Sequence, residues 1–482
     1  MSVGAKVDCN IYKSTPGYVN HNWGSNTGGR GTGISWMAGT NTDFLAIGAR
    51  MVLQDGVPLD WKDPWPSYHP VEDEYDASPT LDPVAVLTGE GQRTFDQTTG
   101  DLYVWCYGDD DPSTVIMESW KGITTGTRNR HCFKGSMRYT DIKGIKFKMF
   151  SSLFKSNLLE EYNYIIWEDN IFAYCWKHLF QDSTTNYNDQ QTAPMVGWEV
   201  RNNIFYRPTR ECIQIYGDEH IFEYNEFIEH AGSWAGGAAM ASIINARHTN
   251  DVNIRYNYFN HIGNEWNAGS SVNYESDDTQ RGVDNECEYT GGTIAYNFFG
   301  DTLGGVSIHI GRSGCRMHDI TISYNVFAHN EGNQRFNAGE ALRFSTPHVN
   351  LNINNNVFDD QVKDIFTHFH MSAGTIYLDG GMTNTIDIRD NIFSNSGDTV
   401  PSEVIAEAII DRNIFYNNTG SSAGTNVLTG DPLFDTPTSN NYQITAGSSA
   451  IVGGDDIGVY NFGETVPVGT DWWNFPTYTH IP

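Results

Sequence analysis

Polar and apolar residues alternate through a short phrase that returns nine times along the chain. Its clearest copy is residues 220–227, HIFEYNEF; others stand at 252–259, 292–299, 320–327, 351–358 and 386–393, with looser ones at 165–172, 198–205 and 408–415. Each closes on Asn-x-Phe, at Asn170, Asn203, Asn225, Asn257, Asn297, Asn325, Asn356, Asn391 and Asn413. Three residues before the asparagine stand Trp167, Val200 and Phe222, and then only isoleucine, from Ile254 to Ile410. The flanking positions are mostly polar, as in Glu223, Asn253, Arg255, Thr321 and Asp387. Period-two alternation of this kind predicts that each copy is a strand with one buried and one wet face. The asparagine is expected to take the turn conformation and to bond to its counterparts up the stack. The phenylalanine should point back into the core.

Successive asparagines are 33, 22, 32, 40, 28, 31, 35 and 22 residues apart. A floor with variable excess is what stacked coils with unequal loops produce. One such strand cannot bury its apolar face alone, whereas stacked coils share a continuous core. The pattern therefore predicts an all-β fold, a right-handed parallel β-helix. Residues 121–425 read as its coils, residues 1–120 as an N-terminal cap, and residues 426–482 as the last coil and a C-terminal closing segment. An open solenoid end would expose strand edges and apolar core, which is why a cap is expected. Within it, residues 91–105 (GQRTFDQTTGDLYVW) read as a hairpin turning at Thr99-Gly100.

Between successive Asn-x-Phe turns lies a second strand, as in residues 212–216 (CIQIY), 306–310 (VSIHI) and 341–345 (ALRFS). Its apolar residues, Ile213, Ile215, Val272, Val306, Ile308, Leu342 and Phe344, alternate with Gln214, Tyr216, Asn273, Glu275, Ser307, His309 and Arg343. The latter set should line one outer face, with His309 and Arg343 one coil apart at roughly 4.8 Å. Nearby lie Arg247, His248, Trp266 and the loop holding Asp277, Asp278 and Arg281. Acid, imidazole, guanidinium and phenol on one face suit a sugar groove. The bland reading is a solvated face, where such residues collect by default. A hydrolase would need two carboxylates, for which Glu275 with Asp277 or Asp278 is the first choice and Glu211 or Glu340 a substitute. A lyase would need a cation against a uronate carboxylate and a base for the α-proton, for which Arg343 or Arg247 with His309 or Tyr216 would serve.

Charge narrows the partners. The chain carries a formal net charge of −30, which opposes non-specific nucleic-acid binding and weighs against an acidic polymer unless Ca²⁺ bridges the two. No motif calls for any other cofactor, and no Gly-rich phosphate loop, Ser nucleophile elbow or His-Glu-x-x-His is present. No stretch reaches the ~20 apolar residues of a membrane-spanning helix. No secretory signal opens the sequence: either one has been removed, or the protein is assembled in a cytoplasm and leaves by another route, as virion proteins do. Seven cysteines without CxxC or zinc spacing read as buried small hydrophobes.

The tail adds a resemblance. Residues 431–434 (DPLF), 442–451 (YQITAGSSAI) and 456–460 (DIGVY) resemble the last coil of many bacterial right-handed β-helix proteins that act on polysaccharides. The hairpin before the coils resembles the piece that precedes the helix in the same group. The sequence departs from it at Ser449, where proline is usual, and at Val452-Gly453-Gly454, where an aspartate is usual. The resemblance implies a β-helix and carbohydrate as the ligand. It leaves the reaction open, since this fold hosts lyases, hydrolases, epimerases and phage tailspikes. The expectation is a tailspike-like virion appendage or an extracellular protein that binds, and as an enzyme cleaves, a surface glycan. The rivals are a secreted polysaccharide lyase or glycoside hydrolase, and a non-catalytic adhesive β-helix. Small uncharged residues at Ala295, Thr321, Ser323, Asn352 and Asn354 suggest a flat face for a homotrimer or for other virion proteins. The aromatic end, Asp471-Trp472-Trp473-Asn474-Phe475-Pro476, should cover the end of the helix or pack on a neighbouring chain.

Overall fold

The structure, a computed structural model, describes residues 5–8, 11–14, 52–61, 68–69, 74–75, 82–95, 102–112, 114–119, 131–133, 136–148, 152–154, 161–174, 179–180, 195–208, 212–229, 242–247, 249–262, 270–274, 287–301, 306–310, 315–330, 340–344, 348–361, 366–368, 386–397, 408–420, 422–452, 456–460 and 471–474, with isolated positions between 463 and 469. The chain divides into two compact units, one centred on Met1–Arg130 and the other holding His131–Gly232 and Met240–Pro476.

The second unit is a parallel β-helix. A first sheet of ten strands runs from Met137–Lys143 to Ala408–Asp411, and a second of eleven from Lys146–Lys148 to Leu428–Thr429. A third sheet carries Leu179–Phe180, Ile213–Asp218, Ile244–Arg247, Ser270–Tyr274, Val306–Ile310, Leu342–Phe344 and Phe366–His368 in order. Neighbours within each of these sheets are consecutive coils paired parallel, for example Phe222 against Ile254 and Ile254 against Ile294.

The repeated phrase is not one strand but two. Glu199–Arg201 lies in the first sheet and Ile204–Tyr206 in the second, with a corner at Asn202-Asn203 between them. The left-handed residue at this corner is the one before the conserved-register asparagine, not the asparagine itself. It is Asp169, Asn202, Tyr224, Tyr256, Tyr296, Tyr324, Asn355, Asp390 or Arg412, with φ between 54° and 59°, and Gly144 takes the same place before Ile145 in the first coil. Left-handed backbone costs roughly 1–2 kcal/mol for a residue with a Cβ, so something must hold nine such corners.

The asparagine column does so. In each step the backbone N–H and the Nδ2 of one asparagine donate to the Oδ1 of the next, at 3.0 and 3.0 Å from Asn170 to Asn203 and at 2.9 and 3.0 Å from Asn257 to Asn297. Each Nδ2 also reaches a carbonyl of the preceding coil, as Asn297 does to Ile254 at 2.8 Å. The asparagines are at most 1% exposed, and buried amides must be satisfied in this way. Beside them the phenylalanines form a continuous stack, Phe147, Phe172, Phe205, Phe227, Phe259, Phe299, Phe327, Phe358, Phe393 and Phe415, with centroids 4.7–5.2 Å apart. Isoleucines of the first and third sheets, with Trp167, Trp198, Val200, Phe222, Val272 and Leu342, pack beside this stack in the same interior.

The tail behaves differently from expectation. Trp472 is 1% exposed and packs on Phe298 of the second sheet at 5.5 Å. Tyr442, Ile444, Ala450, Ile457, Val459 and Tyr460 cluster with Tyr258, Val326, Ala328, Val357, Ile392 and Ile414 on the outer side of that sheet. The C-terminal segment therefore runs back along the solenoid as a strap over its own apolar outer face. The hairpin Phe434–Thr436 with Asn441–Ile444 begins it.

In the first unit, Gln92–Phe95 and Leu102–Trp105 pair antiparallel as the sequence predicts; the turn itself lies outside the described residues. They sit in a five-stranded sheet with Ala5–Asp8, Ile11–Ser14 and Asp60–Trp61. Among the described residues no helix is long and apolar enough to cross a membrane.

Candidate functional site

The third sheet carries the face that the sequence marks for chemistry. Ile213, Ile215, Ile244, Ala246, Val272, Ile308 and Leu342 point into the core, so the side chains between them face the other way. Register pairs Gln214 with Asn245, Asn245 with Asn273, Asn273 with His309 and His309 with Arg343. Five hydrogen-bonding side chains thus stand in one column, one coil apart, with His309 beside Arg343 as expected. Within it Asn273 donates to Asn245 at 3.5 Å.

The column is not a wet face. Gln214 is 3% exposed, Asn245 1%, Asn273 1% and His309 3%. Alternation fixes which side of the strand a residue faces; it carries no information about what lies over that side. Arg343 is held by Glu340, whose two carboxylate oxygens accept from one guanidinium nitrogen at 2.8 and 2.7 Å. The side chains are 13% and 5% exposed. A charge-assisted pair this buried holds both groups in place. It also engages both oxygens of Glu340, the carboxylate that the sequence offers as a substitute hydrolytic acid.

Other sequence-predicted positions are described in part or not at all. The backbones of Tyr216 and Arg247 pair in register one row along the same strands, and their side chains lie outside the described residues. So do His248, Trp266, Glu275, Asp277, Asp278 and Arg281.

A second polar row was missed. The residue two places after each stacked phenylalanine from Phe172 onward is again left-handed, at Tyr174, Arg207, Glu229, His261, Asp301, His329, Asp360, Asn395 and Asn417. This second corner aligns Arg207 with Glu229, which are ion-paired, and then His261, Asp301, His329 and Asp360 in alternation. His329 Nδ1 lies 3.0 Å from Asp360 Oδ2. Burial acts to lower the His329 pKa, but the Asp360 hydrogen bond and the charges of Asp301, Asp360 and Asp359 outweigh it, and the imidazole ends above its ordinary range. Next to it Asp359, 3% exposed, accepts from Ser394 at 2.6 Å, Asn395 at 2.9 Å and Tyr442 at 3.2 Å. Burial, with Asp359, raises the Tyr442 phenol well above its usual value, so it acts as a neutral donor that ties the strap to the coils. Extending the sequence alignment two positions past Phe would have found this row.

Cys106 and Cys212 are both buried. Burial, then the carboxylates of Asp110, Asp111 and Asp55, pushes the Cys106 thiol up to about 11, which leaves it a small hydrophobe rather than a nucleophile. Among the described residues no group of three or more His, Cys, Asp or Glu is arranged to hold a metal ion. The fold and its outer polar column define a parallel β-helix with one enclosed hydrogen-bonding face. No family model and no curated protein matches the chain.

Proposed function

We propose that this chain is a glycan-recognising β-helix, carried as a tailspike-like virion appendage or exported to the cell exterior. The observation that carries the reading is the register column of Gln214, Asn245, Asn273, His309 and Arg343. Amides, imidazole and guanidinium repeat at a coil spacing of about 4.8 Å, on the scale of a sugar residue in a linear polymer. Amide and neutral imidazole groups can both donate to and accept from hydroxyls, and a guanidinium can donate to them. If the protein cleaves its ligand, the hydrolytic carboxylates are Glu275 with Asp277 or Asp278, and a secreted lyase or glycoside hydrolase is the alternative. A homotrimer would use the outer face of the first sheet around Thr321, Asn352 and Asn354.

The burial of the column favours a second reading, a non-catalytic adhesive β-helix in which these side chains act as internal glue. Incubation with a panel of surface polysaccharides separates the two. Binding that His309→Ala and Asn273→Ala weaken by tenfold or more, on the scale of one lost charge-assisted or two neutral hydrogen bonds at about 1.4 kcal/mol, supports recognition at the column. Binding that neither variant alters, or no binding to any member, speaks for the adhesive or structural reading.

A further inference from the structure

A third left-handed corner recurs where each coil enters the first sheet. Its row begins Tyr139, Tyr164, Gly197, Glu219, Asp251 and runs on to Asn350, aligned by the register of the strands that follow. From Gly197 onward the described members of the row are glycine, aspartate, asparagine and one glutamate. Glycine, and after it asparagine and aspartate, enters this conformation most cheaply. The first two coils carry tyrosine instead, at φ 49° and 54°. Burial does not offset that strain, since Tyr139 is 77% exposed and Tyr164 41%.

The two rings stack at 4.9 Å with 10° between their planes. In the next coil stands Gly197, where a Cβ would fall 2.6 Å from the Tyr164 ring, so only glycine leaves that ring its place. Tyr164 is thus seated between Gly197 and Tyr139, and Tyr139 ends the stack with its outer face turned to solvent. The tyrosines of the first corner, Tyr224, Tyr256, Tyr296 and Tyr324, also stack, at 4.8–5.1 Å. The C-terminal segment lies on them: a Cβ at Gly469 would fall 2.6 Å from the Tyr224 ring, and Tyr324 packs with the strap's apolar cluster. Those rings serve the packing of the fold, whereas the outer face of Tyr139 does not.

We infer that this face is a stacking platform for one pyranose ring, an inference that rests on the glycan reading above but not on the third-sheet column. The C–H face of a pyranose is apolar, about the size of a phenol ring, and carries slightly positive hydrogens that suit the negative face of a π system. The surroundings fit a sugar better than a protein. A stable protein interface takes about 800 Å² per partner around an apolar centre, whereas Arg138 and Asp141, beside Tyr139 on its strand, are exposed and charged. Arg138 is ion-paired with Glu161, in side chains 54% and 38% exposed. Balanced charges exert little pull on an ion of either sign, and side chains this accessible can bond to sugar hydroxyls at the rim of the platform.

The test is equilibrium binding of the intact protein to galactan, mannan, glucan, polygalacturonate and alginate. Wild type is compared with Tyr139→Ala, Tyr139→Phe and Tyr139→Trp. For a polymer that wild type binds, Tyr139→Ala should weaken binding about tenfold, and the two aromatic variants should stay within about threefold, because stacking uses the ring and not the hydroxyl. An unchanged unfolding midpoint for Tyr139→Ala separates lost stacking from lost fold. If that variant does not fold, nitration of wild-type Tyr139 by tetranitromethane, mapped by mass spectrometry, should be suppressed by the bound polymer. Polymer binding that Tyr139→Ala leaves within about twofold, or that leaves Tyr139 open to nitration, overturns the platform and leaves the glycan reading intact. A loss as large in Tyr139→Phe as in Tyr139→Ala also overturns it, since the hydroxyl would then carry the contact. Binding of none of the five polymers overturns the glycan reading and the platform with it.

Discussion

The asparagine column should fail most severely in its middle, and Asn297→Ala is the sharpest perturbation. The Oδ1 of Asn297 accepts from the backbone N–H and the Nδ2 of Asn257 at 2.9 and 3.0 Å. Its Nδ2 donates to Ile254 O at 2.8 Å, Ala295 O at 3.0 Å and Asn325 Oδ1 at 3.0 Å. Alanine removes all of these and strands the N–H of Asn257 in a site that is 0% exposed. At about 1 kcal/mol net per lost bond, with about 1–3 kcal/mol for a stranded buried group and some recovery by relaxation, the loss should be ~3–5 kcal/mol. Asn413, the last of the column, accepts from Asn391 at 2.9 and 3.1 Å and donates to Ile388 O at 2.9 Å, so Asn413→Ala should cost roughly 1–3 kcal/mol. Asn297→Asp keeps the acceptor but buries a charge and should be worse than alanine. Urea unfolding followed by circular dichroism and tryptophan fluorescence measures the order; coincidence of the two probes checks that one transition is seen. An Asn297→Ala loss below about 1 kcal/mol, or a larger loss at Asn413, would refute the idea that the column holds the corners.

Trp472→Ala should cost about 3–5 kcal/mol if the strap unfolds together with the coils. If the strap detaches first, it should instead appear as early proteolysis after residue 430 and as dye binding to the exposed second sheet. Glu340→Gln leaves Arg343 buried without its carboxylate and should destabilise by ~3–5 kcal/mol, whereas replacing both residues by leucine should come much closer to wild type in a melting experiment. For His329 the folded pKa lies above the 6.5 of the free side chain. Its contribution is therefore fully present below pH 6.5 and is lost as pH rises through the higher folded value. The wild-type unfolding midpoint should drift down over that window relative to His329→Asn, and parallel pH profiles would show that the Asp360 contact contributes nothing.

How much of this was legible in the sequence depends on the range of the interaction. The nine-fold phrase exposed the coils, the inward isoleucines and the stacking of the asparagines, because each is a local alternation repeated in register. The hairpin at residues 92–105 was equally local. The division of each phrase across a corner was hidden, since Tyr224 or Arg412 in a left-handed conformation looks like any polar residue on a strand. The His261–Asp301–His329–Asp360 row is hidden for a related reason: it lies beyond the phenylalanine that closes the phrase, and its residues change identity from coil to coil.

Tertiary structure alone decided the rest. Whether the outward side of a strand meets water depends on segments distant in sequence, which is why alternation places His309 and Asn273 on the outward side but does not disclose that both are buried there. The partner of Arg343 sits only three residues away, yet Glu340 becomes that partner because both side chains are shut in together. Trp472 found Phe298, some 170 residues back along the chain, because coil stacking had already built an apolar outer wall there. Periodicity can specify a repeated local geometry residue by residue; which surface a non-repeating segment covers is settled only once the repeats have assembled that surface.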